Sequence, residues 1–233
     1  MLDGGGIVIL VLLDLSAAFD IVDLLCRMRG RLGINGTALN WFRSYLTNRS
    51  QSVNIHGTRS SSCVLKYGVP QGSVLGPLLF LTYVLPLGEL IDSHSIHRHS
   101  FADDTQLYTV IREIKDPAQV HQECLKLECC LNEIQHWLTD NFLKGNPSKT
   151  EIMLFGTPQR LKQVNIVSIT VAGVDVKISG APVRNLGVLI DPQLSMKPYV
   201  YSVVKSGYFH LRNIALARRQ LSKMRHDRSR RHL

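Results

Sequence analysis

The chain has 233 residues, 45% hydrophobic and 19% charged, which is enough to bury a core and too apolar for a disordered chain. A formal net charge of +9 points to an anionic partner, with nucleic acid the leading class. The excess is uneven, because residues 201–233 hold nine Lys or Arg against one acid, Asp227, while the first 200 hold 18 basic and 17 acidic side chains. In chain order, the β-branched and leucine run at 7–13 predicts a buried strand that ends at Asp14. Helical apolar spacing follows at 20–32 and 37–46, separated by the breaker from Gly33 to Gly36. Alternation at 52–56 and 64–67 predicts two short strands. Residues 77–91 read as a buried helix kinked at Pro86. Segments 96–102 and 105–111 flank Asp103 and Asp104, which suggests a hairpin with two carboxylates at its tip. The longest helical pattern, 117–141, sets Val120, Cys124, Leu127, Leu131, Ile134 and Leu138 on one face. Strands are expected at 151–155, 166–172, 174–178 and 183–190, and a last helix at about 203–222 carries the basic tail. Strands and helices mixed without strict alternation indicate an α+β domain.

Several weaker signals have plain readings. Cys26, Cys63, Cys124, Cys129 and Cys130 show no paired spacing. An odd cysteine count without a secretory leader predicts a reduced, intracellular protein of the nucleus or cytoplasm. The apolar stretches at 6–13 and 74–91 are too short, or interrupted by Pro77 and Pro86, so no membrane span is expected. His94, His97 and His99 lie close together, but no cysteine is near and the strand period splits their faces, which argues against zinc. Cys124, Cys129 and Cys130 read as core or flank thiols, and Trp41 and Trp137 as helix anchors.

Three segments carry chemistry. Asp14 stands where a hydrophobic strand meets the surface, and Asp103 and Asp104 stand together between two strands. Adjacent carboxylates repel, and a fold tolerates them either as a solvated turn or where a cation neutralises them. Asp oxygens converging from separate strands can hold a pair of Mg²⁺ ions that serve phosphoryl chemistry. The third segment, 67–77, is punctuated by Gly68, Gly72, Gly76, Pro70 and Pro77 and opens a helix. Its glycines allow close approach of backbone to a ligand, and the helix N-terminus favours phosphate.

Together these segments resemble the reverse transcriptases of non-LTR retrotransposons. The run Asp14-Leu15-Ser16-Ala17-Ala18-Phe19-Asp20 is similar to that family's first palm motif, Gly68 to Phe80 to its second, and Phe101-Ala102-Asp103-Asp104 to its third. Asn146-Pro147-Ser148-Lys149 is similar to the fourth, and Val183-Arg184-Asn185-Leu186-Gly187-Val188 to the fifth, the primer-grip hairpin. All five occur in the family's order. Two positions differ from its usual pattern: Phe101 stands where Tyr is common, and Gly145 where an apolar residue is common.

The resemblance implies an α+β right-hand polymerase palm, an antiparallel sheet with helices on one face, over residues 1–200. Residues 201–233 would begin a helical thumb with a basic tail. It implies RNA-directed DNA synthesis, with two Mg²⁺ ions held by Asp14, Asp103 and Asp104, and with Lys149 protonating the departing pyrophosphate. Phe19, Gln71 and Gly72 would bind the nucleotide, Phe19 by excluding a 2′-hydroxyl. The partners implied are an RNA template, a DNA primer and deoxynucleoside triphosphates. Lys205, Arg212, Arg218 and Arg219 in the basic helix would bind nucleic acid. The family's fingers and endonuclease segments are not expected within these residues, so the isolated chain is not expected to extend a primer; the other reading is a silent remnant that binds nucleic acid.

Overall fold

In the computed structural model, which describes residues 5–17, 21–65, 68, 73–101 and 104–229, the first apolar run forms the central strand β1 (Ile7–Leu13). Chain order continues with β2 (Leu15–Ala17), α1 (Ile21–Leu32), α2 (Gly36–Leu46), β3 (Arg49–Gln51), β4 (Asn54–Ile55), β5 (Thr58–Arg59) and β6 (Cys63–Leu65). Then come α3 (Gly76–Ser93), β7 (His97–Phe101), β8 (Asp104–Ile111), α4 (Pro117–Asp140), β9 (Leu143–Gly145), β10 (Glu151–Phe155) and α5 (Pro158–Leu161). The chain ends with β11 (Ser168–Val171), β12 (Val174–Ser179), β13 (Val183–Asn185), β14 (Val188–Ile190) and α6 (Lys197–Ser229). It forms two compact units, Met1–Ser179 and Gly180–Leu233.

The first unit is built on a six-stranded sheet of order β11-β12-β10-β1-β8-β7. Every pairing in it is antiparallel except β10 with β12, so the sheet is mixed rather than purely antiparallel. In β1 the side chains of Ile7, Ile9, Val11 and Leu13 are buried, while those of Val8, Leu10 and Leu12 are half-buried. That alternation, set by the two-residue pleat, gives the sheet a core face and a partly open face. Leu24 and Met28 of α1, Leu79 and Tyr83 of α3, and Leu127, Leu131, Ile134 and Leu138 of α4 join the same core. The helical spacing expected over 117–141 is therefore the core face of α4. Cys130 lies buried on it, Cys124 is half-buried, and Cys129 is exposed. Burial pushes the Cys130 thiol up to about 12 and the Cys124 thiol up to about 11, with neighbouring glutamates adding to both. Thiols held protonated in this way are inert fillers.

One half-buried cation ties three helices together. The Arg27 guanidinium donates to the Tyr83 carbonyl and to Asn141 Oδ1, and it lies 4.2 Å from the Tyr83 ring centroid and 5.5 Å from that of Trp137. Tyr83 completes the link by donating its hydroxyl to the Asn141 carbonyl at 2.7 Å. Arg27→Ala would leave those acceptors unsatisfied and remove the packed stem, and we expect a loss of about 2 kcal/mol in urea unfolding. Arg27→Lys should recover little, since an ammonium cannot fork to two acceptors while lying flat on a ring. Equal midpoints for the three proteins would disprove the lock.

The helix expected at 77–91 is α3, which runs from Gly76 to Ser93 with Pro86 inside it. The run 183–190, a single strand by its pattern and a hairpin by resemblance, is a hairpin, because Leu186 (φ 46°) and Gly187 (φ 84°) both take left-handed backbone and turn β13 back onto β14. In the same unit, the buried Asp191 carboxylate accepts from the Ser195 and Met196 amides at 3.1 and 2.9 Å. Burial alone would raise the Asp191 pKa, but these backbone donors outweigh it and hold the carboxyl below its ordinary range. With Pro198 then tolerated in the first turn, α6 begins at Lys197, ahead of the expected start.

Candidate active site

Asp14 follows the last residue of β1, and the strand pairing decides what stands near it. Leu13 pairs with Thr105 across β1 and β8, and Leu12 with Gln106. β1 ends just before Asp14 and β8 begins at Asp104, so the two acids stand at the same end of this strand pair. Asp14 is half-buried and Asp104 exposed, next to the buried Leu13 and Thr105. Phe101 pairs with Asp104 across the β7–β8 hairpin. Asp103 itself lies outside the described residues, as do Phe19, Gln71 and Gly72.

The turn after β9 delivers a third charge. β9 pairs with β2, Gly145 opposite Leu15, which extends the β1 region past Asp14. The Asn146 amide then donates to the Asp14 carbonyl at 3.1 Å. The side-chain oxygen of Asn146 accepts from the Ser148 amide and hydroxyl, and its backbone carbonyl accepts from the Lys149 and Thr150 amides. This closed turn presents Lys149, whose Nζ lies 3.4 Å from Asp14 Oδ2. Gly145 has a local reason to lack a side chain: a Cβ there would sit 2.9 Å from Gln135 Oε1 and 3.3 Å from Leu138 Cδ1.

Carboxylates gathered at one end of adjacent strands repel each other, and a positive charge beside them offsets that cost. The Lys149 ammonium supplies one, so this carboxylate already draws a cation to itself. Among the described residues no group of three His, Cys, Asp or Glu could hold a metal ion, and only Asp14 and Asp104 of the three expected ligands are described. Two hard oxygen donors beside an ammonium stand-in fit a divalent cation such as Mg²⁺, which prefers carboxylate oxygens and keeps several waters.

Comparison with known proteins decides the family. The sequence profile described as "Reverse transcriptase (RNA-dependent DNA polymerase)" matches residues 3–190. The chain belongs to the reverse transcriptase family. It is similar to the "Probable RNA-directed DNA polymerase from transposon BS" of Drosophila melanogaster, 28% identical over 177 residues, covering 74% of this chain and 18% of that protein. It is also similar to the "RNA-directed DNA polymerase from mobile element jockey" of the same organism, 25% identical over 173 residues, covering 69% of this chain and 17% of that protein. The chain thus spans less than a fifth of the length of these two relatives. The reading of the five motifs as a reverse transcriptase domain stands, as does the mixed strand-and-helix fold.

The remaining site expectations of this reverse transcriptase chain fall in different places. His94 Nε2 meets Glu133 Oε2 at 2.9 Å, whereas His97 stacks on Tyr108 with ring centroids 5.0 Å apart. His97 and His99 share one face of β7 with Phe101, because alternate strand residues point the same way, so the period does not split these two. Lys205, Arg212 and Arg218 are exposed on α6, and Arg219 lies on the same helix with its side chain outside the described residues. Among the described residues no helix is long and apolar enough to cross a membrane. Sequence reasoning missed the backbone bond from Asn146 to Asp14; the asparagine opening an Asn-Pro-Ser turn was its only signal.

Proposed function

We propose that this chain is the palm-centred core of the RNA-directed DNA polymerase of a non-LTR retrotransposon, with the start of a thumb at its C-terminus. The observation that supports the reading is that β1 ends at Asp14 where the paired β8 begins at Asp104, with Lys149 beside Asp14. In the complete protein the primer 3′-hydroxyl would attack the α-phosphate of a deoxynucleoside triphosphate, and pyrophosphate would leave. Asp14, Asp103 and Asp104 would hold two Mg²⁺ ions, which when bound lower the pKa of the attacking hydroxyl and offset charge on the leaving phosphate. Lys149 Nζ, two-thirds exposed, would give a proton to the departing pyrophosphate oxygen. Phe19 would lie under the nucleotide sugar, and Gln71 and Gly72 would line its triphosphate and the template base. The RNA template and DNA primer are the anionic partners that the basic composition calls for.

The test is a chimera in which this chain replaces the matching segment of the jockey polymerase. It should extend a DNA primer on an RNA template in Mg²⁺ and stop when the ion is chelated; an inert but folded chimera would count against the reading.

Nucleic acid would be held in part by α6. Lys205, Arg212 and Arg219 recur every seven residues, so their Cα atoms form one stripe with about 10 Å between successive positions. Arg218 borders that stripe. Changing the four to Gln should weaken single-strand binding and lower the slope of log affinity against log salt by roughly 3, as expected for about 0.7 counterions per phosphate contact. Anisotropy titrations over a salt series measure both, and an unchanged slope would remove α6 from the interface.

A further inference from the structure

Trp41 does not anchor its helix. It is 54% exposed on α2, whereas Trp137 is half-buried beneath Arg27. The exposed indole is nevertheless held in place. It stacks on Tyr45 with ring centroids 5.4 Å apart and planes 5° from parallel, and Phe42 sets its edge against it at 5.1 Å and 83°. Phe42 and Tyr45 in turn pack against the core. One face of the indole is therefore braced by aromatic neighbours, and the ring is left open to an incoming partner.

The sequence that holds this platform is segregated in charge. From residue 24 to residue 88 the sequence holds seven Arg or Lys and no Asp or Glu, while the rest of the first 200 residues hold 11 basic and 17 acidic side chains. Four of the seven have partners within the fold: Arg27 in the three-helix lock, Arg31 at Glu89, Arg49 at the Leu46 and Gly68 carbonyls, and Arg59 at the Ser52 hydroxyl. Arg29 and Arg43 are exposed. A stacked aromatic pair carried on a basic segment without acids complements a polymer that carries flat apolar rings on a polyanionic backbone. A duplex offers only the backbone, because its base faces are already stacked. A single strand offers both.

We propose that α2 is a stacking platform for an unpaired nucleotide of single-stranded nucleic acid, with Trp41 as the base contact, Tyr45 as its brace and the exposed arginines of this segment as phosphate contacts. This goes beyond the polymerase reading of the carboxylate face and does not depend on it, so Asp14→Ala should leave it intact.

The chain has two tryptophans, which makes intrinsic fluorescence a direct probe. Titration with a short oligothymidylate should quench the emission, and a strand of equal length made of abasic residues should bind without matching that quench. Trp41→Ala should weaken oligothymidylate binding about tenfold and leave abasic binding unchanged, while Trp41→Phe should restore most of the loss. Circular dichroism should show both variants folded, as expected for an exposed position. Three results would overturn the proposal. These are equal oligothymidylate affinity after Trp41→Ala, equal quenching by the abasic strand, and a dimer that Trp41→Ala converts to monomer in sedimentation, which would give the surface to a second copy.

Discussion

Asp14→Ala, and separately Asp103→Ala, should lower RNA-templated primer extension by at least about a thousandfold in the chimera, with the protein still folded. Asp14 stands at the same end of the β1–β8 pair as Asp104 and already attracts an ammonium. Removing it deletes a hard oxygen ligand and takes from Lys149 the carboxylate it pairs with. Mn²⁺ titration followed by electron paramagnetic resonance gives a readout apart from turnover: the intact chain should bind the ion, and Asp14→Ala should bind it weakly. Lys149→Ala should behave differently. A positioned proton donor contributes about a hundredfold or more to rate, but the ammonium competes with a cation for Asp14. Its loss should slow extension while leaving Mn²⁺ affinity equal or higher. If Asp14→Ala extended primers normally, or if Lys149→Ala abolished ion binding, the assignment of these two roles would fail.

The legible parts of this fold share a physical cause. β1 and α4 were visible because their apolar residues recur at the period of the element, and burial follows that period residue by residue. Asp14 was visible for the same reason, as a charge that ends an apolar run. The three-residue strands β2 and β9 were not, since three residues carry no period and their pairing joins segments far apart in the chain. The Lys149–Asp14 contact was equally hidden, because it depends on a backbone bond between Asn146 and Asp14 that no composition announces. Leu186 hid the β13–β14 turn by taking a left-handed conformation that Gly or Asn usually fills. Trp41 illustrates the opposite hazard. Helical spacing says which residues share a face, but not which face the rest of the protein covers, and the sequence reading of an anchor failed there. The charge totals misled in a similar way. A near-neutral first 200 residues concealed a basic segment balanced by acids elsewhere.

Phe19→Ala should let ribonucleotides into the product without stopping synthesis. Phe19 lies in the first motif, five positions after Asp14, and in the family an aromatic ring at that position bars a 2′-hydroxyl. Exclusion of this kind works by clash and not by affinity, so truncating the ring removes a penalty against the ribonucleotide and takes little from the deoxynucleotide. The ratio of kcat/KM for deoxynucleotide over ribonucleotide should fall about a hundredfold. It should fall because the ribonucleotide term rises, with the deoxynucleotide term changed only a few-fold. Phe19→Tyr, which keeps the ring, should retain the discrimination. Single-nucleotide incorporation by the chimera, run with each triphosphate in turn, separates the two terms. A fall in both, with their ratio unchanged, would mark Phe19 as a packing residue. A fallen ratio with deoxynucleotide incorporation preserved would place its ring against the sugar of the incoming nucleotide.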